Sequence, residues 1–299
     1  MPVSEPVSEA APPPVRTGAV GGPSLSRRLL GDPLGLAGLV LVLLLLACGL
    51  FAGWITPYDP FKIAVRDRFL PPSLLHLFGT DNLGRDVFSR VVEGSRIALY
   101  FASVATGLSV LLGLTLGLIA GYGPRWADSL FVLLFDTVNA FPRVMLALAV
   151  ITVLGPSSAS VLLVIVVTTF PTYARLVRTS TLSLKTAEFV LAERSLGAGT
   201  PRILLRHILP NVVGPLLILA SMDIPVVITL EAGLTFLGLG VPPPAPSWGR
   251  ILNEGYSFIR EAPWIVVSGG IPLILATLGF TFLGEALRDL LDPRLRSRR

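Results

Sequence analysis

Residues 188–211 read EFVLAERSLGAGTPRILLRHILPN, and this stretch decides how the rest of the chain is interpreted. Across residues 185–196, polar and apolar side chains alternate at a spacing that predicts an amphipathic helix. Gly197 predicts the end of that helix, because glycine readily takes the left-handed conformation that closes a helix. Thr200 and Pro201 then supply an N-cap and a first-turn proline for a second helix. The stretch is therefore predicted to form a hairpin of two short helices.

The first helix of this hairpin carries an apolar stripe. Its spacing places Phe189, Ala192 and Leu196 along one side of the helix. A hairpin outside the bilayer has to bury such a stripe against lipid headgroups or against another protein. The sequence therefore predicts a docking partner for this segment.

The composition places the chain in a lipid bilayer. Of its 299 residues, 52% are hydrophobic and 14% are charged, and the mean hydropathy is +0.74. A membrane helix needs about 20 apolar residues. The candidate runs are residues 34–55, 97–120, 130–154, 161–176, 212–239 and 264–286. The chain is therefore predicted to be an all-α membrane protein with one membrane domain and six transmembrane helices.

The segments between and beyond these runs complete the predicted organisation. Residues 1–33 are predicted to be a disordered cytoplasmic tail, and residues 34–55 the first membrane helix. Residues 56–96 are predicted to form an extracytoplasmic loop. The membrane core then covers residues 97–286, with the hairpin at 178–207 on the cytoplasmic side. Residues 287–299 are predicted to be a second cytoplasmic tail.

The distribution of Lys and Arg orients the chain. With the amino terminus in the cytoplasm, fifteen of these residues lie on the cytoplasmic side and eight on the other. Six of the eight lie in one long loop, among acidic residues. Because positive residues in short loops favour the cytoplasmic side, both termini are predicted to be cytoplasmic.

Four charged residues lie well inside the apolar runs, where charges are costly and are candidates for function. They are Asp136, Arg143, Asp223 and Glu231. Asp136 and Arg143 are two turns apart in the third run, so their side chains are expected to face the same way. The four residues are predicted either to line a translocation path or to pair with neighbouring helices or a partner chain.

Three prolines interrupt the membrane runs: Pro142, Pro171 and Pro225. Broken helices are tolerated where they face protein or a water-filled cavity, so these positions are candidate hinges. The alternative is that they bend helices to fit the bundle, since proline is common in membrane helices.

Several function classes lack their signatures. A phosphate-binding loop needs Gly-Lys followed by Ser or Thr, but Lys62 follows Phe61 and Lys185 follows Leu184. Any ATPase must therefore be another polypeptide. His76 and His207 are isolated, and no catalytic or metal-binding motif is present. The net charge of +5 is not arranged for nucleic acid, and no cofactor is expected.

The hairpin resembles the EAA loop, the signature of permeases in ABC importers. The residues that carry the resemblance are 188–197 (EFVLAERSLG) and 207–211 (HILPN). Leu191 and Glu193 stand where the family usually has Glu and Ala, so the acidic contact is expected to be shifted or weakened.

Further segments are similar to the dipeptide, oligopeptide and nickel branch of these permeases, and specifically to the subunit with the longer amino-terminal extension. They are 78–86 (FGTDNLGRD), 140–142 (AFP), 231–240 (EAGLTFLGLG), 246–249 (PSWG) and 287–294 (LRDLLDPR). Each alone has a structural explanation, but their order and spacing around the hairpin favour the assignment.

The resemblance implies a type I ABC importer permease fold in a bacterial inner membrane, crossing it several times. Implied partners are a second homologous permease subunit, two cytoplasmic ATP-binding subunits, an extracytoplasmic solute-binding protein and membrane lipid. In the family, the loop forms a coupling helix seated in a groove of the ATP-binding subunit. The residues of this chain in that role are Glu188, Phe189, Ala192, Glu193, Arg194, Leu196 and Gly197.

The substrate class implied by the resemblance is peptides. Nickel, glutathione and oligosaccharide importers share much of the pattern and stay as alternatives. An ion-coupled secondary transporter would show inverted repeats and a midplane cluster of carboxylates, and no convincing repeat is seen. An intramembrane enzyme or a polytopic scaffold is a further alternative.

Overall fold

A computed structural model of the chain describes residues 32–291, which are mostly helical. In chain order the helices are α1 (Pro33–Leu50), α2 (Ala52–Ile55), α3 (Val87–Tyr122), α4 (Arg125–Asn139), α5 (Arg143–Leu154), α6 (Ser158–Lys185), α7 (Glu188–Ser195), α8 (Thr200–Phe236), α9 (Trp248–Ser257) and α10 (Pro263–Leu291). Within the described range, extended pairing is limited to one bridge between Thr80 and Asp86. The all-α prediction is confirmed.

Five helices are long and apolar enough to cross a bilayer: α1, α3, α6, α8 and α10. Helices α4 and α5 pass the same test only as a pair, and they meet at an angle of 90°. Counted as one broken span, this pair brings the described range to the six spans that were predicted.

The third run, predicted as one helix over residues 130–154, is instead two helices. Helix α4 ends at Asn139, and α5 begins at Arg143 after Pro142 in an extended conformation. A residue that precedes proline is pushed out of the α-helical region, which explains why the helix stops before Phe141. Pro171 and Pro225 lie inside the continuous helices α6 and α8. Of the three candidate hinges, the structure therefore breaks a helix only at Pro142.

Other boundaries differ because polar residues extend the helices beyond their apolar runs. Helix α3 begins at Val87, ten residues before the predicted start, with Asp86 as its N-cap accepting from the Ser89 amide at 2.8 Å. Helix α6 runs from Ser158 to Lys185 rather than over residues 161–176. The first span divides at Phe51 into α1 and α2. The predicted loop at 56–96 therefore ends at residue 86, and it contains a short 3-10 helix at Val65–Asp67.

The predicted tails fall largely outside the described residues. Helix α10 continues through Leu291, five residues into the segment predicted as a tail at 287–299. Residues 1–31 and 292–299 are not described.

Helices α3 and α6 pack against each other along a stripe of small residues on α3. A Cβ atom at Gly117 would lie 2.6 Å from the carbonyl oxygen of Ala174, and one at Gly121 would lie 2.7 Å from the Cβ of Thr181. Four residues before Gly113, which is part of the same stripe, Ser109 shares a 2.7 Å hydrogen bond with Thr169. Small residues at four-residue spacing let two membrane helices approach to backbone contact.

An ion cluster lies at one end of the bundle. We define it as the four residues Asp81, Arg85, Arg90 and Glu254. Arg85 donates to Asp81 at 2.7 Å and to Glu254 at 2.9 Å, and Arg90 donates to both acids. Arg90 is only 2% exposed. Since two Arg balance two acids, the cluster is neutral and ties the loop before α3 to α9.

The second arm of the hairpin is not a separate short helix, as the sequence had suggested. Residues 200–236 form one helix, with a wider turn at Leu204–Ile208. Its N-cap is Gly199 rather than Thr200, and Pro201 lies in the first turn as predicted. The hairpin is therefore joined to a membrane helix without a break.

Candidate coupling hairpin and translocation cleft

Helix α7 ends in the geometry that the sequence predicts. Gly197 has a φ of +86°, in the left-handed region. Its amide donates to the carbonyl of Arg194, and the Ala198 amide donates to that of Glu193, both at 3.0 Å. These two bonds form a Schellman motif, which satisfies carbonyl groups left free at a helix end.

The two faces of α7 differ in burial. Val190 is fully buried, in a cluster with Val177, Ile203 and Ile208. The opposite face exposes the predicted stripe, with Phe189 at 47% and Leu196 at 84% exposed, and Ala192 exposed between them. The prediction of an exposed apolar stripe is confirmed within this chain, and such a stripe is typical of a protein contact.

Two charged residues of α7 hold it to the rest of the chain. Glu193 lies 3.7 Å from His207 and 4.0 Å from Arg202, both on α8. Arg194 donates from Nη2 to the Tyr122 hydroxyl at 2.9 Å, at the end of α3. Glu188, at the start of α7, is exposed. Of the seven predicted coupling residues, Arg194 therefore makes a side-chain hydrogen bond to the rest of the chain, and Glu193 makes only longer charge contacts.

Asp136 and Arg143 do not share a helix face, contrary to the sequence prediction, because the break at Pro142 places them on α4 and α5. Asp136 accepts a hydrogen bond from Nη2 of Arg175 on α6 at 2.6 Å, and both side chains are more than half exposed. A second pair joins the same helices, in which Nη2 of Arg178 donates to Asp128 at 2.8 Å. These pairs hold α4 against α6.

The other two charged candidates lie in different environments. Asp223 is half-buried on α8, beside the hydroxyl of Tyr173. Tyr173 Oη and Asp223 Oδ2 lack a hydrogen-bond partner among the described residues. Glu231 is buried and accepts from Thr235 at 2.8 Å. Asp223 therefore lies beside Tyr173, Arg143 is exposed at the start of α5, and Glu231 lies inside the bundle.

A shallow, open cleft with both polar and apolar side chains follows one face of α6. It consists of two adjoining cavities of about 460 Å³ each. Their hydroxyl, amide and guanidinium groups come from Asn139, Thr172, Arg175, Thr179, Ser180, Ser183 and Asn211. Sequence reasoning missed this face, although Thr172, Arg175, Thr179 and Ser183 recur at the three- and four-residue spacing of a helix side.

The cleft offers hydrogen-bonding groups to a polar solute. Hydroxyl and amide groups along a cleft replace water around a solute without holding it tightly. Within residues 32–291, no group of three or more His, Cys, Asp or Glu residues is placed to hold a metal ion.

Comparison with known families identifies two matches. Residues 113–297 match the family of binding-protein-dependent transport system inner membrane components. Residues 25–72 match the family described as the N-terminal transmembrane domain of oligopeptide transport permease C. Together these matches include the first membrane helix, the hairpin and the cleft.

Individual relatives are similar along nearly the whole chain. The dipeptide transport system permease protein of Alkalihalophilus pseudofirmus is 38% identical over 91% of this chain and 89% of its own length. The di/tripeptide transport system permease protein of Pseudomonas aeruginosa is 39% identical over 88% of both. The glutathione transport system permease protein of Escherichia coli is 41% identical over 90% of this chain and 89% of its own.

Proposed function

Because the chain belongs to the family of binding-protein-dependent transport system inner membrane components, we propose that it forms one half of the translocation path of an ATP-driven peptide importer. The observation that carries this proposal is the exposed apolar stripe of α7, on a helix otherwise held by Val190, Glu193 and Arg194. A motor protein that docks on this stripe can move the bundle through those contacts.

The proposed orientation places the hairpin in the cytoplasm and the ion cluster outside a bacterial inner membrane. The Lys and Arg bias supports it, with both termini in the cytoplasm. Residues 1–33 and 287–299 are then cytoplasmic ends, and residues 56–86 face the extracytoplasmic binding protein.

The proposed assembly contains a second homologous permease, two cytoplasmic ATP-binding subunits and an extracytoplasmic solute-binding protein. Glu188, Phe189, Ala192, Leu196 and Gly197 form the contact with one ATP-binding subunit, while Glu193 and Arg194 hold α7 in place. ATP-driven closure of those subunits draws the two coupling hairpins together and opens the outer side. Hydrolysis then restores the inward-facing state.

The proposed path runs along the cleft of α6. Asp136 lies beside the cleft through its ion pair with Arg175, and the path is proposed to continue past Arg143 and Asp223. These groups suit a peptide, which carries an ammonium, a carboxylate and amide groups. Glu231 is buried and bonded to Thr235, which favours a structural role over a place on the path.

The proposed substrates are dipeptides and oligopeptides, as the names of two relatives suggest. Glutathione is the second candidate, because another relative is named for it and it is itself a tripeptide. Uptake of labelled glutathione into the same liposomes distinguishes the two, because it is ATP-dependent only if the complex also carries glutathione.

The test is reconstitution of the complete importer in liposomes, with uptake of labelled dialanine measured with and without ATP. We expect ATP-dependent uptake and co-purification of the ATP-binding subunits. Leu196→Asp is expected to abolish co-purification, whereas Leu74→Asp, at a fully exposed leucine in the loop before α3, leaves it intact. Uptake that follows an ion gradient without ATP would support a secondary transporter instead.

A further inference from the structure

The contacts of α7 differ in which helices they join. Val190 packs on residues of α6 and α8, and Glu193 faces α8. Both helices are already joined to α7 by short connections, at residues 186–187 and 196–199. The Arg194 contact is different, because it reaches α3, which is not a chain neighbour of α7.

Tyr122, the last residue of α3, is the centre of that contact. Its hydroxyl accepts from Arg194, and its carbonyl oxygen accepts from Nζ of Lys185 at 3.1 Å. The same two cations lie over its ring, with Nζ at 5.1 Å and the Arg194 Cζ at 5.9 Å from the ring centre. Cation–π attraction and a hydrogen bond to a free helix-end carbonyl favour this arrangement. The side chain and carbonyl group of one residue therefore contact the ends of both α6 and α7.

The end of α3 that carries Tyr122 is held closely to α6. Gly121, its neighbour, lies against Thr181 and the carbonyl of Arg178, and Gly117 lies against Ala174 and Val177. Backbone contact of this kind leaves little room for the two helices to slide separately. A displacement of α7 that reaches Tyr122 therefore acts on α3 and α6 together.

Helix α3 also links the two ends of the molecule. It runs for 36 residues from Val87 to Tyr122, about 54 Å at the rise of an α-helix. Near its other end, Arg90 belongs to the ion cluster that binds α9. The helix that Tyr122 contacts at one end is therefore the same helix that joins the ion cluster near its other end.

We propose that Tyr122 is a positioning residue for energy coupling, through which α7 moves the α3 and α6 pair during transport. The proposal rests on the proposed function, since it requires that an ATP-binding subunit moves α7. The proposal assigns two roles to different residues. The stripe of α7 binds the ATP-binding subunit, and Tyr122 couples the movement of α7 to the membrane helices.

The experiment measures dialanine uptake per ATP hydrolysed in the complete reconstituted importer, together with co-purification of the ATP-binding subunits. Tyr122→Leu removes the ring and the hydroxyl, and is expected to lower uptake per ATP by about tenfold with normal co-purification. Tyr122→Phe keeps the ring and is expected to lose less. Trp126→Leu is the control, because Trp126 is an exposed aromatic residue four positions further along the chain, on α4.

A double-mutant cycle identifies the partner. If the Arg194 hydrogen bond transmits the motion, Tyr122→Phe and Arg194→Gln together lower uptake per ATP no further than Arg194→Gln alone. Unchanged uptake per ATP in Tyr122→Leu, or an equal loss in Trp126→Leu, overturns the proposal. If the Tyr122→Leu importer does not assemble, the proposal is tested by uptake per ATP in Tyr122→Phe and by the double-mutant cycle with Arg194→Gln. Unchanged uptake per ATP in Tyr122→Phe then overturns it.

Failure of the proposed function has a different signature. It would appear as wild-type importer without ATP-dependent dialanine uptake, whatever residue 122 is. In that case the Tyr122 variants are compared by how much the binding protein increases the rate of ATP hydrolysis. We expect this increase to be smaller in Tyr122→Leu and unchanged in Trp126→Leu.

Discussion

Arg90 donates a hydrogen bond from Nη1 to Oε2 of Glu254 across 2.7 Å, although 164 residues separate the two in the chain. The pair joins the first turn of α3 to α9 inside the ion cluster. Arg90 is almost fully buried. Both arginines of the cluster are bonded to Glu254 as well as to Asp81. The cluster thus fixes how two sequence-distant segments meet.

Glu254→Gln is expected to destabilise the fold, because it leaves two buried arginines with one acid. Removing one partner of a buried ion pair costs about 3 kcal/mol. The measurement is the thermal unfolding midpoint of the purified protein in detergent. Glu93→Gln is the control, since Glu93 pairs at 3.1 Å with the half-exposed Arg96 and exposed pairs contribute little. Equal shifts in the two variants would contradict the assignment.

Gly197→Ala tests the turn that closes α7. No atom lies within 4 Å of a Cβ built at Gly197, so the cost comes from its positive φ and not from a clash. A non-glycine residue in this conformation costs about 1–2 kcal/mol. We expect weaker co-purification with the ATP-binding subunits, partly restored in Gly197→Asn, because asparagine tolerates this region.

The control for this variant is Gly214→Ala, at a helical glycine that also has open space around it but no positive φ. It is expected to behave like the unsubstituted protein. A loss as large in Gly214→Ala as in Gly197→Ala would show that the turn geometry of α7 is not the cause.

Gly117→Ala tests the contact between α3 and α6. The added Cβ would meet a backbone oxygen and a branched side chain, at 2.6 Å and 2.7 Å, so the helices have to separate. Overpacking of this kind costs about 1–3 kcal/mol, measured as a lower unfolding midpoint. Gly107→Ala, on the same helix with nothing within 4 Å, is expected to be neutral. A neutral Gly117→Ala would remove the argument that α3 and α6 move as one body.

The features that sequence alone predicted are those set by local chemistry. The hairpin was predictable from the amphipathic spacing of α7 and from Gly197. Glycine has no Cβ atom and can therefore adopt the left-handed conformation without help from tertiary contacts. The membrane runs followed from length and hydropathy, because a bilayer imposes both. Pro142 was marked as a candidate hinge, but its effect could not be told from that of Pro171 or Pro225, which lie within continuous helices.

The features that sequence missed depend on tertiary partners. The charged residues Arg90 and Arg96 led to a predicted helix start at residue 97, yet α3 includes both. Arg90 is paired in the ion cluster, and Arg96 donates to the carbonyl of Gly49. The cleft of α6 was missed because Thr and Ser count as neutral in hydropathy. The role of Tyr122 depends on residues from α6 and α7.

Thiol labelling tests whether the cleft of α6 is open to water. Thr179 is exposed and lines both cavities, whereas Thr181, two residues on, is fully buried. In a Cys48→Ala background, which removes the chain's own cysteine, Thr179→Cys is expected to react with a charged thiol reagent in inside-out vesicles. Thr181→Cys is expected to react far more slowly.

Labelling alone reports water access, so the decisive comparison is between conditions. In the complete importer, a reagent that reaches residue 179 in the resting state should be excluded when a non-hydrolysable ATP analogue closes the ATP-binding subunits, because the proposed cycle then closes the cytoplasmic side. Labelling of Thr179→Cys that is unchanged by the analogue, in vesicles where dialanine uptake is ATP-dependent, would place this cleft outside the moving path. Protection by the analogue would instead connect the hydroxyl face of α6 to the same cycle that moves α7.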